Sequence, residues 1–380
     1  MRYLNWIGYL AIPVAFLLHY FIGKGQNWEP AATFIAAALG VIPLAHLMGE
    51  ATEHLSERTG PTWGGLLNAT FGNAAELIIA IIALSKGLNE IVKASLTGSI
   101  IGNLLLVGGA AMVAGGWKRE QQTFNPKAAE TNSGLLALSV AMLIVPAIFH
   151  FTAEARHDVA IHEHEHSVSM GTSFVLLIVY GLGLLFTLRT HKHILSPQPA
   201  QSEEDRPGIS ALHPAWSVGR SILMLLLASA GVAIVAELLV GSAEHMAQSL
   251  GWNHVFVGVI LLAIIGNAAE HSTALLLAMR DDMDTAMTIT FQSSIQIALF
   301  VTPLLVLLSA VMVAMGAHNA HHLDLVFSPM EVVAVMVSVL IVIVLAINGE
   351  SNWLEGALLL ALYAILGIAF FYIPTGSPHE

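Results

Sequence analysis

The sequence predicts an all-α integral membrane protein of about eleven transmembrane helices, built as two inverted five-helix repeats plus an extra N-terminal helix. Three observations predict it. The 380 residues are 56% hydrophobic and only 11% charged, with mean hydropathy +0.74; a soluble domain carries about a quarter charged residues. Apolar runs of about twenty residues follow one another along the chain, each long enough to cross a bilayer. The pentapeptide Gly-Asn-Ala-Ala-Glu occurs twice, at 72–76 and 266–270, each time inside such a run.

The runs lie at 3–22, 31–52, 64–84, 91–115, 133–151, 168–188, 215–240, 254–279, 285–315, 328–348 and 353–373. The first exceeds a signal-peptide core, and no small-x-small cleavage site follows it, so it reads as a retained helix. Polar stretches separate the runs, such as Lys118-Arg119-Glu120-Gln121-Gln122. Residues 196–207, with Pro197, Pro199, Glu203, Glu204, Asp205 and Pro207, have linker composition and divide the chain into halves. The expected organisation is an extra helix at 1–25, a first repeat at 26–190, a cytoplasmic linker at 191–214 and a second repeat at 215–380. Trp63, Trp117, Trp252 and Trp353 sit near helix ends, where indole rings anchor at the interface.

With the N-terminus in the cytoplasm, Arg2, Arg58, Lys118, Arg119, Lys127, Arg189, Lys192, Arg206, Arg220 and Arg280 fall inside. Lys24, Lys86, Lys93 and Arg156 fall outside. The positive-inside rule favours that orientation, with the C-terminus outside. The membrane is the cell membrane in a bacterium, or an organellar one. The net charge of −12 excludes a nucleic-acid partner, and the lack of cysteine excludes disulfides and thiolate chemistry. The sequence holds no nucleophile-and-base pattern and no nucleotide-binding loop, so it reads as a transporter in a lipid bilayer, not an enzyme, and calls for no cofactor.

The halves match beyond the pentapeptide. Thr52-Glu53-His54-Leu55 parallels Ala243-Glu244-His245-Met246, and Ser99-Ile100-Ile101-Gly102 parallels Ser293-Ser294-Ile295-Gln296. A repeat of five helices makes its copy enter from the opposite side, the plan of secondary transporters with substrate at the midplane.

A glutamate at membrane depth costs on the order of 3 kcal/mol by insertion scales, so Glu76 and Glu270 read as functional. Asn73 and Glu76, three residues apart, share a helix face, as do Asn267 and Glu270. Ser99, Asn103, Ser293 and Gln296, on the third helix of each repeat, add hydroxyls and amides. Such a set suits a hard divalent cation: calcium takes six to eight oxygens, and two carboxylates balance its charge. Calcium and manganese both accept oxygen ligands, and the residues do not rank them. Gly72 and Gly266 permit a local helix break, and Gly98, Gly102, Gly108 and Gly109 permit close helix approach. Desolvation penalises the ionised form of an ion-free buried glutamate, whereas a cation favours it, so proton and cation exclude one another. If only loaded states rock between the two sides, antiport follows.

The stretches GNAAELIIAIIAL (72–84), GNAAEHSTALLLA (266–278) and SSIQIALFVTPLLVLLS (293–309) resemble the calcium/cation antiporter superfamily, in its cation/proton exchanger branch. NATFGNAAELI from Asn68 is similar to that branch's first-repeat signature. The resemblance implies Ca2+/H+ exchange by alternating access, with Glu76 and Glu270 as carriers flanked by Asn73, Asn267, Ser99, Ser293 and Gln296. Sodium/calcium exchangers of the superfamily carry a proline before the motif acid; Ala75 and Ala269 stand there, favouring proton coupling. The family's central acidic segment is replaced by a histidine-rich loop at 154–166.

Glu53 and Glu244, paired by the repeat, are candidates for a gate or an access funnel, and His54 and His245 for proton relays or structural histidines. Glu50, Glu57 and Glu237 lie near them. His157–His166 and His318, His321, His322 and Asp324 form polar loops that suit an accessory metal or a pH response. Other readings are a sodium/calcium exchanger, a cation channel, and a transition-metal/proton exporter that uses these loops.

Overall fold

A computed structural model describes residues 2–23, 26, 28–59, 64, 66, 67, 70–156, 164–190 and 216–373. The linker, Trp63, Asn68 and the loop residues His157–Glu163 lie outside the described residues.

The helices, in order, are α1 (Arg2–Leu17, extended by Leu18–Ile22), α2 (Glu29–Thr59), α3 (Ala74–Ser85), α4 (Asn89–Gly116), α5 (Pro126–Arg156) and α6 (Glu165–Thr190). The second half holds α7 (Val218–Leu250), α8a (His254–Gly266), α8b (Ala268–Met279), α9 (Met283–Ala314), α10 (Pro329–Ala346) and α11 (Trp353–Phe371). Among the described residues, eight helices are long and apolar enough to span a membrane, or nine if the bent α8a–α8b pair is one span. The runs expected at 3–22 and 64–84 contribute the shorter apolar helices Trp6–Ile22 and Ala74–Ser85. The protein is a helical integral membrane protein.

The helices begin and end where the local chemistry dictates. Ser328 and Glu331 form a reciprocal capping box at the start of α10, and Asn352 and Glu355 do so for α11. Gly251, at φ 68°, closes α7 in the left-handed conformation that glycine adopts without strain.

The long helices α2 and α7 pack along their length, and α1 lies on α2. His54 near the end of α2 stacks on Trp216 just before α7, with ring centroids 4.9 Å apart, so the two run antiparallel. Helix α3 packs chiefly on α7, and α8a and α8b also touch α2. Among the other helices, α4 packs on α8a and α11, while α9 packs on α5, α6 and α8b. The α4–α8a crossing is backbone against backbone: a Cβ on Gly98 would stand 2.2 Å from the Val259 carbonyl oxygen, and one on Gly258 2.5 Å from the Ala94 Cβ. Gly109 similarly faces Gly356 of α11. Gly102 has nothing within 4 Å, so close approach was the wrong expectation for it. A two-stranded ribbon, Gln122–Thr123 against Glu350–Ser351, joins the connections after α4 and α10.

Candidate cation site

Both Gly-Asn-Ala-Ala-Glu motifs interrupt a helix. In the first motif the break spans Gly72 and Asn73 (φ −97°, ψ 23°) before α3; in the second it falls on Asn267 (φ −94°, ψ 6°), which separates α8a from α8b at a 61° bend, while Gly266 stays helical. Each glutamate therefore lies in the first turn of a helix, Glu76 in α3 and Glu270 in α8b. Free N–H groups and the positive end of the helix macrodipole lie beside both carboxylates.

The third helix of each repeat meets its own acid. Ser99 donates to Glu76 Oε1 at 2.6 Å, and Ser293 donates to Glu270 Oε2. Two further bonds cross between the repeats: Asn267 Nδ2 donates to Ser99 Oγ at 2.9 Å, and Asn73 Nδ2 donates to Gln296 Oε1. The Glu76 side chain lies against Gly266, where an added Cβ would stand 3.0 Å from Glu76 Cγ.

Burial is unequal. Asn73, Glu76, Ser99, Asn267 and Ser293 are buried, whereas Glu270 and Gln296 are partly exposed. Three oxygens inside the cluster receive no hydrogen bond: Glu76 Oε2, Asn73 Oδ1 and Asn267 Oδ1. Buried acceptors without donors are costly in a protein interior. A cation supplies what all three lack. Among the described residues no three histidine or acidic side chains converge, so the donor set is two carboxylates with neutral amide and hydroxyl oxygens, suited to a hard ion.

Seven of the expected site residues thus form one constellation: Asn73, Glu76, Ser99, Asn267, Glu270, Ser293 and Gln296. Asn103 is buried on α4 one turn beyond Ser99, its Nδ2 unpaired, within a π-helical stretch at Gly102–Val107. A matching stretch, Ile297–Val301, follows Gln296 in α9. Wide turns of this kind are frequent at functional sites.

The four residues expected at a gate stand apart from this cluster. Glu53 is exposed, Glu244 is partly exposed and accepts from Gln248, His54 is buried against Trp216, and His245 is exposed. None of their bonds reaches the site. His166, in the first turn of α6, and His322 have ring centroids 4.1 Å apart.

Sequence reasoning missed a charged network around α4. Lys93 Nζ reaches Asp324 at 3.2 Å, Glu90 at 3.0 Å and the Val326 carbonyl at 3.0 Å. Thr97 donates to the buried Glu331. The available signal was Lys93 itself, a cation inside an apolar run, which calls for a partner.

Residues 30–189 and 220–372 match the sodium/calcium exchanger protein family. A Ca2+/H+ antiporter of Aphanothece halophytica is 43% identical over 375 residues, covering 96% of this chain and 95% of its own. One of Synechocystis sp. is also 43% identical, over 381 residues with the same coverages. The solved structure of native YfkE superposes with a TM-score of 0.76 at 36% identity, over 97% of this chain and all of that one. The interrupted motif helices, the paired acids and these matches lead to one assignment: the chain belongs to the sodium/calcium exchanger protein family.

Proposed function

We propose that this protein is a secondary active antiporter that exchanges Ca2+ for H+ by alternating access, with Glu76 and Glu270 holding either the metal or protons. One observation carries the reading: three buried oxygens without hydrogen-bond donors, on Glu76, Asn73 and Asn267, belong to the residues whose hydrogen bonds join the two motifs. Asn73, Asn267, Ser99, Ser293, Gln296 and Asn103 complete or orient the coordination. No resident cofactor is required, because the metal is cargo.

The two proton-coupled relatives at 43% identity support proton rather than sodium as the coupling ion, as do Ala75 and Ala269 before the acids. Metal and proton compete for the same carboxylate oxygens, so each excludes the other. The repeats are assigned to 26–190 and 215–380, joined by the linker 191–214, with the N-terminus cytoplasmic and the C-terminus outside on the lysine and arginine distribution. Glu53 and Glu244, on the two long helices, concentrate cations on the way to the site.

Reconstitution into liposomes with calcium and pH dyes read together tests this. An imposed proton gradient drives calcium uptake with counterflow of protons in sodium-free buffer. Calcium movement that requires a sodium gradient at fixed pH overturns proton coupling, and calcium flux without proton movement indicates a channel.

A further inference from the structure

The two site carboxylates differ in exposure: Glu76 is buried, whereas Glu270 and Gln296 are partly exposed. The residues that leave the second half-site open lie on α9. From Met283 to Gln296, the partly exposed sector of that helix is Asp284, Thr285, Thr288, Ile289, Gln292 and Gln296, and the other residues are buried. All but Ile289 are polar. Turned to lipid, this sector would set hydroxyls, amides and a carboxylate in hydrocarbon, which is costly. Water is the environment that its chemistry requires.

Asp284, Thr288, Gln292 and Gln296 succeed one another at every fourth residue, so they form one stripe from the α8b–α9 turn to the site. Asp284 stands in the first turn of α9. Gln292 Nε2 donates to the buried Asn132 of α5 at 3.0 Å, which fixes the amide and leaves its carbonyl oxygen as an acceptor.

The first repeat has no such stripe. The offset that relates Glu76 to Glu270 sets Glu90, Ala94, Gly98 and Gly102 against Asp284, Thr288, Gln292 and Gln296. Beyond Glu90 these residues are small and buried. Ala94 and Gly98 are where α8a crosses, at Gly258 and Val259. One position of the repeat is thus a sealed crossing on α4 and a polar, partly exposed stripe on α9.

We propose that Asp284, Thr288 and Gln292 line a hydrated path by which a divalent cation reaches Glu270 from the α8b–α9 end, and that the Gly98–Val259 crossing seals the equivalent route in the first repeat. Hydroxyl and amide oxygens substitute for shell waters of a hard cation, and Asp284 concentrates the ion at the mouth. The inference rests on the antiport reading above for the ion that moves along it.

Two exposed residues mark the two faces. Glu120 follows Arg119, whose pairing with Asp281 at 3.0 Å places it at the α8b–α9 end. His318 lies in the connection that meets the start of α4 through Asp324 and Lys93. Because the chain has no cysteine, single cysteines report the path in the full-length protein. A membrane-impermeant methanethiosulfonate, applied from the side that labels E120C, modifies T288C and Q292C, and calcium slows both reactions. It does not modify M287C, on the buried sector. Applied from the side that labels H318C, it modifies none of the three. Adduct charge is the second measurement: on T288C, a trimethylammonium adduct slows calcium uptake about tenfold more than a sulfonate adduct of similar size, within the range of electrostatic steering.

Either α9 position decides the sidedness, so a variant that fails to fold is replaced by the other. Path cysteines that stay unmodified, cysteines that react from the His318 side, or an effect indifferent to adduct charge overturns the proposal. Labelling is read without an ion gradient. Wild-type calcium uptake without proton movement therefore defeats the antiport reading, whereas a proton-coupled wild type with negative labelling defeats only the path.

Discussion

Asn267 of the second repeat donates to Ser99 of the first at 2.9 Å, and Ser99 in turn donates to Glu76 at 2.6 Å. One serine hydroxyl therefore connects the asparagine of one motif to the acid of the other. A change at Asn267 in the second repeat is therefore felt at Glu76 in the first.

The acids come first. E76Q and E270Q each remove one of the two negative charges that balance a divalent ion. Each variant loses calcium uptake driven by a proton gradient, by about a hundredfold or more on the scale of lost buried charge pairs. In the wild type, calcium affinity falls as pH falls, because protons occupy the same oxygens. Dye-based uptake in liposomes reads both effects, and full transport by both variants removes the shared seat.

The serine link makes a coupling prediction. A hydrogen bond to a charged group contributes about 1.5–3 kcal/mol. S99A therefore raises the calcium concentration for half-maximal transport about tenfold, and N267A raises it less. The double variant S99A/N267A is no worse than S99A, because both changes break the same chain. Additive losses measured by initial uptake rates place Asn267 outside the unit.

Packing at the α4–α8a crossing separates two glycines of one helix. G98A pushes a methyl group into the Val259 carbonyl, and overpacking costs about 1–3 kcal/mol. G102A meets open space and leaves the unfolding temperature unchanged. Thermal unfolding in detergent, followed by loss of the monodisperse peak, distinguishes them.

Lys93 anchors the connection before α10. K93M leaves Asp324 without its cation, but Asp324 and Glu90 are substantially exposed. The loss is therefore about 1–2 kcal/mol, below that of a fully buried pair. Unfolding temperature drops while the calcium dependence of transport stays near wild type.

The histidine loops are dispensable to the core reaction under this reading. Replacing His157, His162 and His164 by alanine keeps proton-driven calcium uptake within about twofold, since polar solvated loops tolerate such changes. Abolished uptake shifts the assignment toward a transition-metal exporter.

Much of this was legible before any coordinates. Hydrophobic run length located the spans, because a bilayer demands about twenty apolar residues of a helix. The duplicated pentapeptide named both acids and both asparagines, because a charge at membrane depth is too costly to be idle. The offset between copies also named Ser99, Ser293 and Gln296. The Lys93 network was not legible, because its partners Asp324 and Val326 lie more than two hundred residues away. The gate residues were paired by sequence, yet Glu53 is exposed and Glu244 partly buried, since similar tetrapeptides rotate to different faces on two long helices.

The sequence by itself determined the class of the protein, the duplicated motif and the two buried acids proposed to carry the ion, because composition, period and duplication are properties of the chain. Only the tertiary structure decided which serine meets which acid and which asparagine reaches across to the other repeat. It also decided that Gly98 touches a neighbouring backbone while Gly102 does not, and that Lys86 pairs with Glu237. Those relations depend on how the motif helices and the two long ones cross in space, and a helix face is chosen by packing between distant segments rather than by local order along the chain.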